Sequence, residues 1–401
     1  MRAIKNSIFL YIAYIWNFLG GFIQLKILVW DLSKEALGKY FFAGGVGILI
    51  GSIAQIGFPY VFQRFIPRYD HEKRQEDKLT LIWFSLMFHL IIMLVSLPFM
   101  FFAVGKNLPY TLIYIGFYLV SHMDLFFNVY ISQRRAEPVT ILKGIYYIIL
   151  IIMLLSMRPL SIIKVSYSLI TSTVFVLILT YIHLPLPSSM SLNNVKRVFL
   201  EIKEYFSYAL YTHLLGPFFM YIDRIMIPFM LGYEALGIFQ IARKLEQGAR
   251  GFLFVPISAF APELSKLYEE ENHEASKRVL KKLTLVYALS GALISILFIV
   301  LGKPLIILVS SKKYLLAYPH LIILMISFFF SLLYAPYTTY RRARDGMDFF
   351  FKINAIWLLS FLVFILFTFK KLHLYAFSFG MLFATLVVLL YSLIDWRKYT
   401  K

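Results

Sequence analysis

The chain has 401 residues, of which 60% are hydrophobic and 15% are charged, and its mean hydropathy is +0.75. Soluble domains contain roughly 45–50% apolar and about 25% charged residues, so this composition excludes a soluble globular protein and indicates a polytopic membrane protein. The net charge is +19, and we expect membrane topology rather than nucleic-acid binding to account for most of it. The chain has no cysteine, which excludes disulfides and thiolate metal sites. We expect neither a metal nor a cofactor, and no ATP-binding motif is present.

Long apolar stretches separated by charged or Pro- and Gly-containing loops predict an all-α protein with twelve transmembrane helices, because a bilayer core requires about 20 apolar residues per helix. Residues 1–30 begin like a signal peptide. They lack a small-residue cleavage site and carry Gln24 and Lys26, so we expect a retained first helix. The predicted spans are 7–30, 37–62, 80–103, 109–132, 139–157, 160–183, 204–231, 235–262, 281–302, 319–340, 349–369 and 373–395.

The distribution of lysine and arginine predicts the orientation of these spans. If the N-terminus is cytoplasmic, 25 of the 40 basic residues lie in inner segments, 10 lie in outer loops and five lie within spans. Basic residues of short loops favour the cytoplasmic side. The sequence therefore predicts a protein of the cell (inner) membrane with both termini in the cytoplasm.

Short sequence matches at a nearly constant offset indicate an internal duplication. The sequence EALG occurs at 35–38 and at 234–237, an offset of 199 residues. Gly-Lys pairs at 105–106 and 302–303 are offset by 197 residues, and Arg-Arg-Ala at 134–136 and 341–343 by 207. The larger last offset falls in the longer outer loop, 303–318. Each pair lies at the equivalent end of equivalent predicted helices.

A duplication of six helices predicts two parallel bundles related by a pseudo-two-fold axis along the membrane normal, an architecture found in transporters. We expect an N-terminal bundle at 1–183 and a C-terminal bundle at 204–401. The segment 184–203 is rich in Pro, Ser and Asn, and we interpret it as the cytoplasmic linker.

The eighth predicted helix carries a polar stripe. Its residues Gln240, Arg243, Gln247 and Arg250 recur at spacings of three or four and so share one helical face. Glu246 can pair with either arginine, and Lys244 lies beside the stripe. Arg243 follows the second EALG motif closely enough to lie about 13 Å into the membrane, at 1.5 Å per residue.

Two other predicted helices carry polar residues at a similar depth, Asp223 and Arg224 in the seventh and Gln24 and Lys26 in the first. An ion-pair lattice that holds helices together is one interpretation. However, five basic residues face only two acids in these spans, and an excess of buried positive charge requires an anion or a watery cavity. Because arginine binds phosphate through two parallel donors, we expect a phosphate- or pyrophosphate-containing substrate.

The fourth predicted helix contains His122 and Asp124. Histidine titrates near neutral pH, which makes these residues candidates for coupling to an ion such as a proton or sodium. A hydrogen-bonded contact between helices is the competing interpretation. His89 and His213 are isolated polar residues in apolar helices, and no function is expected for them.

The segments EALGKYFFAGGVGILIGSIAQIGFPYVFQRFIPRYD and YIDRIMIPFMLGYEALGIFQIARKL resemble the helix 1–2 and helix 7–8 regions of oligosaccharide-lipid flippases. These are the Wzx-like polysaccharide transporters of the multidrug/oligosaccharidyl-lipid/polysaccharide exporter superfamily. The segment GKPLIILVSSKKY and the last helices are similar to their C-terminal part. Many relatives have fourteen helices, whereas this chain predicts twelve, which disfavours the peptidoglycan-precursor branch.

This resemblance implies transport of a polyprenyl-pyrophosphate-linked oligosaccharide from the inner to the outer leaflet by alternating access, for O-antigen, capsule or exopolysaccharide assembly. It implies no enzymatic activity, and a polysaccharide polymerase is an expected partner. By position, Arg224, Arg243 and Arg250 would engage the anionic part of the substrate. Three alternatives stay open. One is a drug exporter of the same superfamily, another is an exporter of a different lipid-linked precursor, and the third is a membrane glycosyltransferase or polymerase.

Overall fold

The computed structural model describes residues 2–103, 105–187, 191–269, 273–345 and 348–400. Every regular element in these ranges is a helix, as the apolar pattern predicts. The chain forms two compact units, Met1–Ile225 and Met226–Lys401. The boundary between these units lies inside one long helix. The sequence instead predicts two bundles of six helices that are divided at the linker 184–203. That division rests on the duplication and stays a prediction.

The first unit is built around one central helix, α5, which packs against α2, α3, α4 and α7. A second contact in this unit joins α1 to α6, and α6 also packs on α7. The helices are α1 (Arg2–Asp31), α2 (Lys34–Ala54), α3 (Phe58–His71), α4 (Gln75–Ala103), α5 (Leu108–Ser132), α6 (Ala136–Ser156), α7 (Ile162–Ile182) and α8 (Leu192–Leu231), the last of which continues into the second unit.

The second unit is likewise built around one helix, α12, which packs against α9, α10 and α14, and α13 pairs with α14. Its helices are α9 (Tyr233–Glu269), α10 (His273–Val300), α11 (Gly302–Val309), a 3-10 helix (Lys312–Ala317), α12 (Tyr318–Asp345), α13 (Asp348–Leu372) and α14 (Leu374–Thr400).

The two EALG motifs open equivalent helices. Helix α2 begins at Lys34 and α9 begins at Tyr233, so each motif occupies the second to fifth position of its helix. The Ser33 hydroxyl accepts a hydrogen bond from the amide of Ala36 at 3.1 Å and caps α2, and an acidic residue in the first turn is favourable at a helix N-terminus. Helix α2 then packs on α5 as α9 packs on α12, which is the pairing expected of repeated helices.

Three predicted boundaries differ from the structure. The predicted span 37–62 is two helices, because the chain turns at Ile56 and Gly57, whose φ angles are 39° and 87°, and Pro59 opens the next helix. The predicted outer loop 303–318 is largely helical. The linker 184–203 becomes helical from Leu192 onward.

The helical end of that linker is fixed to the first unit by ion pairs. The Arg74 guanidinium lies 2.7 Å from the Glu201 carboxylate, and Arg197 pairs with Asp77. Side chains of most of the charged segment 263–282, which we expect to form a solvated cytoplasmic helix, lie outside the described residues.

Eleven helices in the described ranges are long and apolar enough to cross a membrane, so the chain is a multi-pass membrane protein. Large apolar side chains of α4 are exposed, with Leu94 and Phe99 at 62% and 74%, as expected of a helix that faces lipid. The twelfth predicted span, 235–262, lies in α9. Five charged residues between 233 and 250 lower the hydropathy of this helix, which is why apolarity alone does not identify it.

Candidate functional site

Two arginines of α9 share one buried carboxylate. An Nη1 atom of Arg243 lies 2.6 Å from Oε2 of Glu246. Arg250 approaches the other oxygen, with its Nη2 at 2.6 Å and its Nε at 2.7 Å from Oε1. The sequence predicts that Glu246 can pair with either arginine, and in the structure it pairs with both.

Burial differs within this cluster of three residues, Arg243, Glu246 and Arg250, which we call the α9 charge cluster. The side chains of Arg243 and Glu246 are 5% and 1% exposed, whereas that of Arg250 is 20% exposed. Gln240 is also fully buried, and Lys244 and Gln247 are half-buried. With one carboxylate for two guanidinium groups, the cluster carries an excess positive charge.

Helix α12 completes the surroundings of Arg250. The Nη1 atom of Arg250 donates to Oγ of Ser331 at 3.3 Å, a long hydrogen bond, and the guanidinium lies 5.6 Å from the ring centre of Phe328. The sequence predicts no role for either α12 residue, because a serine and a phenylalanine are ordinary residues of an apolar helix. The repeat does predict that α12 packs against α9.

In the first unit, Arg224 is 4% exposed. Its guanidinium lies 4.9 Å from the ring of Tyr221, its Nε has no hydrogen-bond partner, and no carboxylate of a described residue is recorded as pairing with it. Gly45 makes room for this side chain, since an added Cβ would lie 2.5 Å from Cδ of Arg224. The neighbouring Asp223 is fully buried.

The polar residues predicted in α1 lie in the same unit. Gln24 donates from Nε2 to the hydroxyl of Tyr40 at 2.8 Å. Lys26 lies 6.0 Å from the ring of Trp30. The structure thus joins Gln24 of α1 to Tyr40 of α2.

His122 forms a pair with His89, the two Nδ1 atoms lying 3.1 Å apart. Nε2 of His89 is 2.8 Å from the carbonyl oxygen of Gly51, and Nε2 of His122 is 2.8 Å from the hydroxyl of Tyr181. A carbonyl can only accept, so His89 donates from Nε2 and, when neutral, accepts at Nδ1. His122 then donates from Nδ1 and accepts from the Tyr181 hydroxyl.

This chain of hydrogen bonds joins four helices, α2, α4, α5 and α7. His89 is a residue for which the sequence predicts no function. A signal was available, because His89 lies 14 residues before the end of α4 and His122 lies 14 residues after the start of α5. Residues equidistant from the turn of a helical hairpin lie at equal depth.

Asp124 does not join His122. Its carboxylate is 47% exposed and lies 3.5 Å from Nζ of Lys143, while His122 is fully buried. Residues two apart on a helix point in different directions, so the structure separates the two candidates for ion coupling.

Two acidic residues that the predicted topology assigns to outer loops, where a glycosyltransferase or polymerase would need a carboxylate, are paired with bases. Asp31 lies 2.9 Å from Arg158, and it also accepts a hydrogen bond from the backbone amide of Leu160 at 3.0 Å. Glu35 lies 2.9 Å from Lys39.

Several solved structures share this fold. An inward-facing multidrug resistance MATE family transporter of the MOP superfamily aligns with a TM-score of 0.75 and 14% identity, covering 96% of this chain and 94% of that one. The lipid II flippase MurJ, in an inward closed conformation, aligns with a TM-score of 0.70 and 18% identity, covering 98% of this chain and 87% of that one.

A third similar structure is a MOP superfamily transporter from Pyrococcus furiosus, described as having a binding pocket of reverse polarity that suggests a different function. It aligns with a TM-score of 0.66 and 13% identity, covering 100% of this chain and 96% of that one. At these identities the likeness shows the fold alone. No curated protein sequence matches the chain.

A family model described as polysaccharide biosynthesis protein matches residues 3–268. The match covers more than half of the chain, including the α9 charge cluster and both EALG motifs. It also confirms the resemblance to the polysaccharide-transporter family that these motifs indicate. The chain belongs to the polysaccharide biosynthesis protein family, on the fold of the MATE and MurJ transporters.

Proposed function

We propose that this protein is a flippase that moves a polyprenyl-pyrophosphate-linked oligosaccharide from the inner to the outer leaflet by alternating access. The family membership and the transporter fold support this proposal. A MurJ structure with the same fold is described as a lipid II flippase, and a lipid-linked sugar is the class of substrate that polysaccharide assembly requires. The cell membrane, cytoplasmic termini and a polysaccharide polymerase as partner are parts of the same proposal.

The observation that carries the proposal is the excess positive charge of the α9 charge cluster. Removing a charge from water costs several kcal/mol unless a partner compensates for it. Within the cluster, Glu246 supplies one negative charge for two arginines. An anionic substrate group would bring a second negative charge, and guanidinium groups bind phosphate through parallel hydrogen bonds.

Arg250 is the member of the cluster best suited to contact the substrate. It is the most exposed of the three, and its Nη1 atom donates a long hydrogen bond to Ser331 rather than contacting Glu246. A phosphate oxygen can take that donor without breaking the contacts to Glu246. Glu246 then acts as a positioning residue, because it holds both guanidinium groups in place.

Arg224 is a second candidate for contact with the anionic group. It is buried, its Nε has no hydrogen-bond partner, and it is paired with no described carboxylate. Arginine in an apolar environment is retained at a cost, which favours a functional role for it. Lys26 and Lys244 are less well supported, because a lysine ammonium does not offer the two parallel donors with which a guanidinium binds phosphate.

The competing functions fit these contacts less well. A cation exporter requires an acidic residue for its substrate. Of the two acids in these helices, Glu246 is already bound by two arginines and Asp223 is adjacent to Arg224 in the sequence. A glycosyltransferase or polymerase requires an available carboxylate at the outer surface, but Asp31 and Glu35 are paired with bases.

The test is transport of a lipid-linked oligosaccharide in proteoliposomes by the wild type and by Arg250→Gln and Arg243→Gln. A charge-assisted hydrogen bond contributes about 1.5–3 kcal/mol, so the apparent affinity of Arg250→Gln should fall roughly tenfold to a hundredfold. Arg341→Gln is the matched control, because Arg341 belongs to the same unit and pairs with Asp395 at 2.8 Å.

Unchanged transport in both cluster variants, with correctly folded protein, would show that the cationic site is wrong. A loss of equal size in Arg341→Gln would show a general effect of removing an arginine. Loss in the cluster variants together with retained transport in Arg341→Gln supports the proposal.

Ion coupling is a separate part of the proposal. The paired histidines are a better candidate than Asp124, since a proton added to the neutral pair would place two N–H groups opposite each other and break the contact between α4 and α5. The arrangement equally serves as a neutral cross-link between helices, and only a transport measurement under an imposed pH gradient separates these roles.

A further inference from the structure

A cleft opens at the end of the first unit where α4 and α6 begin and where α5 and α7 end. Its volume is about 380 Å³, within the range of small-ligand sites. None of its lining residues belongs to the α9 charge cluster or to the surroundings of Arg224. The polar side chains that line it include Asp70, Lys78, Tyr130, Gln133, Arg135 and His183.

The side chains of this cleft give it one uncompensated positive charge. Nζ of Lys78 lies 2.6 Å from Oδ1 of Asp70, and Gln75 donates to the same oxygen at 3.2 Å, so this pair is neutral. Arg135 lies 6.0 Å from the ring of Tyr130 and has no ion pair recorded among the described residues. Arg135 therefore determines the net charge of the side chains that line the cleft.

Hydrogen-bond donors in this cleft are available to a ligand. No hydrogen bond to a described residue is recorded for the side chains of Gln133 and Arg135 or for the hydroxyl of Tyr130. In contrast, Nδ1 of His183 lies 2.7 Å from the carbonyl oxygen of Leu179. Because a carbonyl oxygen only accepts, the neutral ring carries its proton on Nδ1 and cannot donate from Nε2. An anion would therefore be held by Arg135 with Gln133 and Tyr130.

Apolar side chains also line the cleft. Leu79, Ile82 and Phe126 are among them, and all three are buried. Beside it, α7 and the residues that follow present a continuous apolar surface, with Ile178, Ile182 and Leu186 being 52%, 72% and 72% exposed. A ligand with an anionic head and an apolar tail matches both parts.

We propose that this cleft binds the phosphate of an anionic phospholipid of the surrounding bilayer, with the headgroup on Arg135 and the acyl chains along α7. All four helices meet at the end that the positive-inside count assigns to the cytoplasm. Basic pockets between transmembrane helices on that side are suited to anionic headgroups. This lipid is distinct from the transported substrate.

The test measures how phosphatidylglycerol stabilises the purified full-length protein against thermal unfolding in neutral detergent. Phosphatidylcholine and inorganic phosphate serve as comparison ligands. We expect phosphatidylglycerol to raise the unfolding temperature of the wild type at concentrations at which the other two do not. In Arg135→Gln, the phosphatidylglycerol concentration that gives half of this rise in unfolding temperature should be about tenfold higher than in the wild type.

Arg134→Gln is the matched control, because it removes the same charge one residue away and Arg134 does not line the cleft. If both variants lose the response to phosphatidylglycerol equally, general surface charge explains it and the proposed site is wrong. If inorganic phosphate reproduces the stabilisation at equal concentration, the site takes a free anion and the lipid assignment is overturned.

Discussion

Helices α2 and α9 open with the same four residues and pack on equivalent partners, but they contact those partners by different means. Helix α2 approaches α5 through glycine. A Cβ added at Gly47 would lie 2.6 Å from the carbonyl oxygen of Tyr114, and one added at Gly51 would lie 2.7 Å from Cβ of Ser121. Helix α9 contacts α12 through large side chains, among them Arg250, which bonds to Ser331, and Phe239, whose ring centre lies 5.8 Å from that of His320.

The two equivalent helix pairs, α2–α5 and α9–α12, therefore form two different kinds of contact. Close approach of backbones excludes water and polar ligands, and it relies on van der Waals packing, as expected between helices in a membrane. A buried charge cluster keeps the helices joined and places guanidinium donors between them. The first arrangement suits a structural contact, and the second suits a binding site.

The largest expected effect concerns Glu246, which contacts both arginines of the α9 charge cluster. Glu246→Gln removes the carboxylate that both guanidinium groups contact, and breaking a buried ion pair in this way costs about 3–5 kcal/mol. The measurement is the unfolding temperature in detergent. Glu35→Gln is the control, because Glu35 is 62% exposed in its pair with Lys39, and such surface pairs contribute about 0–1 kcal/mol.

Adding Arg243→Met to Glu246→Gln should recover part of the stability, because it removes one of the two buried positive charges that Glu246 contacts in the wild type. Equal stability of Glu246→Gln and the wild type would contradict the description of the α9 charge cluster as a coupled set.

A smaller effect is expected at the glycine contact of α2. Gly47→Ala forces α2 away from the backbone of α5, and overpacking of this kind costs about 1–3 kcal/mol. Gly21→Ala is the control, since nothing lies within 4 Å of a Cβ added at Gly21, and it should be neutral or stabilising. If both variants unfold at the same temperature, close approach is not what joins α2 to α5.

The smallest effect is expected from the hydrogen-bonded chain that ends on α2 at Gly51. Tyr181→Phe removes the hydroxyl that donates to His122, at a cost of about 1 kcal/mol. Tyr167→Phe is the control, because Tyr167 lies on the same helix and is 52% exposed. If Tyr181→Phe alters only the stability of the protein, these hydrogen bonds serve as a structural cross-link between helices. If it also abolishes the dependence of transport on an imposed pH gradient, the histidines take part in coupling.

Sequence patterns were sufficient for the fold class because apolar spans of bilayer length and repeated helix starts are local properties. They were also sufficient to find the polar face of α9, since its residues recur at helical spacing. They were insufficient for the break after Ala54, which depends on a turn at Ile56 and Gly57 within an otherwise apolar run. They also missed His89, whose role depends on a partner 33 residues away.

The sequence by itself determined a multi-pass helical protein with two equivalent helix starts and a basic stripe on α9, because hydropathy and helical periodicity are written along the chain. Only the tertiary structure decided that Glu246 is shared by both arginines, that Gly45 makes room for Arg224, and that His122 pairs with His89 rather than with Asp124. These outcomes depend on which helix faces meet and how closely. An alanine in place of a glycine at such a contact changes the distance between two helices but leaves the helical periodicity of the sequence unchanged.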